Sequence, residues 1–148
     1  MTTITEDGYY VYTRYYQTKQ LELDTEIEVQ FKNCWKKVNA VWDTGVTRTI
    51  VSEDLAKKLQ LKKVADTRMN TASGEVKTKK YFVDIKLPNG CIVKNIIVSS
   101  GNFSTEDVDV LIGMDIITLG DMAISNLEGK TVFTFRMPPG DVIDFAKR

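Results

Sequence analysis

Apolar and polar residues alternate with a period of two along much of the chain, the pattern of half-buried β-strands. Between Leu21 and Phe31 the apolar positions Leu21, Leu23, Ile27, Val29 and Phe31 are separated by polar ones. Lys32-Asn33 supplies a turn, and Trp35 to Trp42 returns as a second strand, so this hairpin delivers the chain into Asp43-Thr44-Gly45. Further on, Tyr81, Val83, Ile85 and Leu87 alternate with Phe82, Asp84 and Lys86. Pro88-Asn89-Gly90 then turns that strand into another, running from Cys91 to Ser99. An apolar segment from Val108 to Gly113 leads into Met114 to Gly120, and Asn126 to Gly129 turns into a last strand over Lys130 to Phe135.

Two stretches read as short helices. Ser52 is suited to cap the segment Glu53 to Leu59, whose acids fall in the first turn and lysines in the last, matching the helix dipole. Gly120 stands where the C-cap glycine of a helix beginning near Met114 belongs. The sum is an all-β domain with one or two short helices over residues 21–137, preceded by an extension (1–20) and followed by a tail (138–148) that starts at Pro138-Pro139-Gly140. Tyr9, Tyr10, Tyr12, Tyr15 and Tyr16 crowd into the extension; such a segment suits either an edge strand packed on the core or an arm that stabilises a dimer.

Composition removes several function classes. Lys plus Arg number 20 and Asp plus Glu 20, so the basic excess that phosphate binding requires is missing and no nucleic-acid partner is expected. No apolar run approaches the length of a membrane span, so no membrane partner is expected either. Met1 to Asp7 lack the basic and apolar regions of a secretion signal, and a cytoplasmic location is expected. Cys34 and Cys91 do not make a disulfide framework and are expected to be free thiols. The chain contains no histidine, which removes Ser-His-Asp and Cys-His nucleophiles and imidazole-ligated metals. Carboxylates, lysines or tyrosines must carry any chemistry.

Asp43 is the acid best placed for that work. It follows the apolar strand end Asn39-Ala40-Val41-Trp42 and precedes Gly45, which permits a backbone turn that other residues resist. The tripeptide alone is a weak signal, since chance supplies a given one in a chain of this size at roughly the 2% level. Three ordered segments are far more specific. Val41 to Ser52 resembles the active-site loop of retropepsin-like aspartic proteases, and Val110-Leu111-Ile112-Gly113-Met114-Asp115-Ile116-Ile117 resembles their second hallmark, an apolar strand, glycine and short helix. Thr71-Ala72-Ser73-Gly74-Glu75 lies between them where the flap tip belongs. The likeness runs from about Leu21 to Phe135, and Phe135-Arg136-Met137-Pro138 looks like bacterial single-domain members.

The resemblance implies a closed, β-barrel-like retropepsin subunit that dimerises about a two-fold axis and hydrolyses polypeptide substrates, with no cofactor and no metal. Asp43 would be catalytic. Thr44 would bond the opposite subunit beneath the aspartates, and the Gly45 amide would approach the carboxylate. Ile112 and Gly113 would pack behind the loop, while Ala72, Ser73 and Gly74 would form the flap that meets a bound peptide. Asp115, at a helix start, suits a first-turn acid better than a catalytic one. Two departures stand out: Val46 replaces the alanine or serine usual after the glycine and offers no hydroxyl to the carboxylate, and Thr47 replaces the aspartate of viral members. Those departures, with the tyrosine-rich arm, keep open a second reading, a catalytically weak dimer that binds peptides or a partner.

Overall fold

The computed structural model describes residues 1–103 and 107–147, in two sheets. Strands β1 (Thr2–Ile4), β2 (Tyr10–Tyr15), β10 (Asp121–Ser125) and β11 (Val132–Met137) make the smaller one, in the order β1-β2-β11-β10. The larger holds β3 (Leu23–Phe31), β4 (Cys34–Trp42), β5 (Ile50–Ser52), β6 (Lys62–Thr71), β7 (Gly74–Lys86), β8 (Ile92–Gly101) and β9 (Val110–Ile112), in the order β3-β4-β9-β5-β8-β7-β6. The helices α1 (Glu53–Lys58) and α2 (Met114–Ile117) are short, and the fold is all-β as expected. No helix among the described residues is long and apolar enough to cross a membrane.

The larger sheet turns back on itself because β7 also pairs with β3, setting Glu28 opposite Lys86 and Val29 opposite Ile85. That seam is short, and side chains reinforce it. Lys86 Nζ lies 3.7 Å from Glu28 Oε2 and 4.6 Å from the centre of the Trp35 ring. Strands β3, β4, β9, β5, β8 and β7 thus follow one another in a ring, and β6 stands outside it. Alternate strand residues point inward: Val29, Ile85, Val98, Val110 and Ile112 are wholly buried, and Ile116 of α2 is buried with them. Burying a side chain of this size stabilises the fold by about 1.5–3 kcal/mol.

The smaller sheet is a buttress for the strand that carries Asp43. Phe133 and Phe135 on β11 tilt against Trp42, with ring centres 5.1 and 4.8 Å away. The Trp42 indole N–H donates to the buried hydroxyl of Thr25 at 2.9 Å, so the ring is held on both its apolar and polar sides. Residues 10–15, the heart of the tyrosine-rich segment, pair with β11 along their full length. Tyr16 is buried and its hydroxyl donates to the Asp24 carbonyl at 2.7 Å, whereas Tyr15 stays exposed. Asn89, buried in the turn after β7, donates from its side chain to the Tyr10 carbonyl and accepts from the Cys91 amide.

The C-terminal tail is tied to the same sheet. Asp121 Oδ2 accepts from the Gly140 amide at 2.7 Å and lies 2.8 Å from Arg136, which also pairs with Asp141 at 3.0 Å. The Gly140 N–H and the Arg136 guanidinium hold the Asp121 carboxyl below its usual range. A depressed carboxylate contributes stability above its unfolded value and loses it as pH falls through the folded one, so the tail stays tied in mildly acidic solution.

Ser52 caps α1 as expected, accepting from the Leu55 amide at 3.1 Å. Gly120 differs from expectation. Helix α2 ends at Ile117, and the residue after it, Thr118, keeps right-handed helical geometry. Glycine is needed at 120 for room, because a Cβ there would overlap the carbonyl oxygen of Arg136. Strands β6 and β10 have no clean sequence alternation. β6 is mostly polar with largely exposed residues, and pairing with β7 makes it a strand.

Burial, followed by the nearby Asp24 charge, pushes the Tyr16 phenol up to about 12 even though Arg14 pulls it down. A raised folded value means the contribution is complete below the unfolded value near 10 and is lost as pH rises toward 12. Denaturant titrations should therefore show the wild type losing stability more steeply over that alkaline window than Tyr16→Phe. At neutral pH the variant should be about 1 kcal/mol less stable for want of its hydrogen bond.

Candidate active site

Asp43 leaves the end of β4 as the chain breaks from the sheet. Its amide donates to the Ile112 carbonyl at 2.8 Å, continuing the parallel pairing of β4 with β9 by one more bond. The next turn is small: Val46 N–H donates to the Asp43 carbonyl at 3.2 Å, and Gly45 N–H donates to Asp43 Oδ1 at 2.8 Å. A Cβ on Gly45 would stand 3.1 Å from that same carboxylate oxygen, so glycine keeps the approach open. Asp43 is half-exposed, and Thr44 and Gly45 are exposed. The carboxylate is thus oriented by one amide and otherwise open to solvent.

The loop is anchored from behind by the β9–α2 turn. Gly113 lies against it so closely that a Cβ would come within 2.7 Å of the Val46 carbonyl oxygen and 3.0 Å of the Arg48 backbone. Ile112 is wholly buried beneath. Met114 and Asp115 donate their amides to the carbonyls of Val46 and Thr47 at 2.8 and 3.1 Å. Val46 therefore serves the loop through its backbone, and its branched side chain is accommodated with these bonds intact.

Asp115 completes the anchor. Its carboxylate accepts from the Thr49 amide at 3.0 Å, from the Thr49 hydroxyl at 2.8 Å and from the Ile116 amide at 3.0 Å. The Thr49 hydroxyl in turn accepts from the Gly113 amide at 3.1 Å. Asp115 is saturated with donors inside the fold, and its role is to position the loop. Thr49 is the residue that sequence reasoning missed: a threonine in an unremarkable run carries no signal until α2 lies beside it.

A cavity of about 640 Å³ opens beside Asp43 and Thr44. Its walls come from residues 20–23 ahead of β3, from Val41 and Leu111 on the outer face of β4 and β9, and from Met122 and Ile124 on β10. On its other side Thr44 faces a shallower hollow of about 410 Å³ shared with Met114, Ile117 and Ile143. The β6–β7 hairpin ends in a turn at Ala72 and Ser73, with Gly74 at φ +114° and the Thr71 hydroxyl donating to the Gly74 carbonyl at 2.8 Å. Its tip residues line neither cavity. The loop, Ile112 and Gly113 are therefore brought together within one chain, and the hairpin tip stands apart from them. Among the described residues no three Asp, Glu or Cys side chains converge as a metal site would require.

A ring of strands with a lone carboxylate on a glycine turn, backed by a strand-glycine-helix element, defines the class as retropepsin-like. The aspartyl protease family model matches residues 27–116, from within β3 to within α2. The chain belongs to that family. No curated protein sequence matches it. Among solved structures it is similar to a retropepsin-like aspartic protease from Rickettsia conorii (18% identity, TM-score 0.54, covering 87% of this chain and 95% of that one). It is also similar to EIAV protease complexed with the inhibitor HBY-793 (18% identity, TM-score 0.52, covering 66% of this chain and 86% of that one). At that identity the likeness is one of fold.

Replacing Thr49 by valine removes the acceptor of the buried Gly113 amide and one donor to Asp115. We expect a loss of about 1–3 kcal/mol in denaturant stability. Thr49→Ser, which keeps the hydroxyl, should recover most of it; equal losses in both variants would count against the anchor.

Proposed function

We propose that the protein is an aspartic endopeptidase whose active site forms between two copies of this chain, with Asp43 from each copy making the catalytic pair. The observation that carries the reading is the state of the Asp43 carboxylate, which is oriented by the Gly45 amide, faces an open cavity and rests on a loop locked to α2. Acid-protease chemistry needs two such groups sharing a proton, and the chain has a single Asp-Thr-Gly. A two-fold axis beside Asp43 supplies the second, because an isologous contact sets like against like. The exposure of Thr44 and the apolar neighbours Met114, Ile117 and Ile143 in its hollow suit that seam.

The chemistry follows from a pair holding one proton. The ionised carboxylate takes a proton from water as the water oxygen attacks the peptide carbonyl carbon. The protonated partner gives its proton to the carbonyl oxygen, and a neutral gem-diol results. The carboxyl now protonated passes its proton to the leaving nitrogen as the C–N bond breaks, while a gem-diol hydroxyl returns its proton to the other carboxylate. The pair ends as it began, with one proton. Peptide would lie extended across both chains, with the Ala72–Gly74 tips closing over it by backbone pairing. The free thiols Cys34 and Cys91 suit action in the reducing cytoplasm.

Asp43→Asn should lower peptide cleavage by about a thousandfold or more while leaving circular dichroism and dimer mass unchanged. Sedimentation of the wild type should give a dimer at micromolar concentration. A wild type that cuts no member of a diverse peptide library from acid to neutral pH, while still binding peptides, would replace this reading with that of a peptide-binding dimer.

A further inference from the structure

The cavity beside Asp43 has an apolar floor, and the two charged side chains that line it among the described residues, Glu22 and Asp43, are both acidic. Leu23, Val41, Leu111 and Met122 supply the floor, and Glu22 stands at the lip. No lysine or arginine lines it among the described residues. Glu22 is exposed and has no hydrogen bond or ion pair among those residues. Beside it, Gln20 donates its side-chain N–H to the Thr18 carbonyl and hydroxyl, at 3.3 and 3.2 Å, and its amide oxygen has no hydrogen bond among the described residues. The charged group at the mouth is therefore an acceptor above an apolar wall, with the side-chain amides of Asn102 and Asn126 as its neutral polar neighbours.

We propose that this cavity is a substrate side-chain pocket for lysine or arginine, with Glu22 as the residue that selects them. The inference rests on the protease reading above and adds the substrate class. Lysine and arginine carry only donors at their tips and a long aliphatic stem, so the stem lies on the leucine and methionine floor while the cation meets Glu22 and the Gln20 oxygen. An acidic residue meets two negative groups there, Glu22 and the singly charged catalytic pair, and is rejected. A purely apolar side chain fills the floor but leaves Glu22 solvated without gain. Because Glu22 is open to water, its pull on a cation is screened, and the preference it produces is about tenfold rather than absolute.

The test uses the full-length dimer and a set of peptides identical except for Lys, Arg, Leu, Gln or Glu at one residue beside the scissile bond. Substitution is made in turn at each of the two flanking positions. The wild type should cleave the Lys and Arg peptides about tenfold faster in kcat/KM than the Leu and Gln ones, with Glu slowest. Glu22→Gln should erase that ranking, Glu22→Asp should keep most of it, and Glu22→Lys should move the Glu peptide ahead of the Lys peptide. A wild type that ranks Leu first at both positions, or a ranking that Glu22→Lys leaves unmoved, overturns the proposal. If no peptide is cut, the protease reading fails on its own account. The same order is then read from fluorescence anisotropy of labelled peptides on the Asp43→Asn dimer, where equal affinities for the Lys and Glu peptides overturn the pocket.

Discussion

The contact on which the rest of this molecule depends is the approach of Gly113 to the backbone of residues 46–49. A side chain at 113 would collide with the Val46 carbonyl, and that collision would push the Asp43 loop off the β9–α2 turn. With glycine there, the amides of Met114 and Asp115 reach loop carbonyls, and Thr49 donates from its amide and hydroxyl to the Asp115 carboxylate across the gap. The bond from the Gly113 amide to the Thr49 hydroxyl is buried, where an unmade partner costs more than a made bond gains, and the Thr49–Asp115 bonds beside it are partly buried. The loop is thereby held to the β9–α2 turn at several points, and the Gly45 amide orients the Asp43 carboxylate.

The two sheets divide the labour around that point. The ring of strands supplies the packed core from which the loop emerges, and its short β3–β7 seam is held by the Glu28–Lys86 pair as well as by the ladder. The smaller sheet presses Phe133 and Phe135 on Trp42, the residue immediately before Asp43. Asp43 is thus supported on both sides within a single chain, as the proposed two-chain site requires of each half. The β6–β7 hairpin is built differently, projecting from the ring with mostly exposed residues.

Selectivity is a separate matter from the carboxylate itself. The residues that frame the cavity come from the segment before β3, from the outer face of β4 and β9, from residues 102, 103 and 108, and from β10, and the side chains that lock the loop, Thr49 and Asp115, are not among them. One retropepsin-like scaffold can in this way carry different substrate preferences on the same acid, since fold and site chemistry are specified by different residues.

Much of this was readable from the chain alone, because it depends on neighbours in sequence. Alternation along 21–31 and 81–87, the Ser52 cap and the turn at 88–90 each follow from local periodicity or local hydrogen bonding. The Asp43 loop and the Ile112-Gly113 element were legible as ordered motifs. What the sequence could not say is which distant groups meet. The pairing of β2 with β11, the return of β7 to β3, the bond from Thr49 to Asp115 and the true reason for glycine at 120 all join residues far apart in the chain. Strand β6 shows the limit most plainly, since its mostly polar stretch is made a strand by the partner it pairs with. Local propensity chose the pieces, and long-range packing decided their contacts, because burial and hydrogen bonding reward proximity in space regardless of distance along the chain.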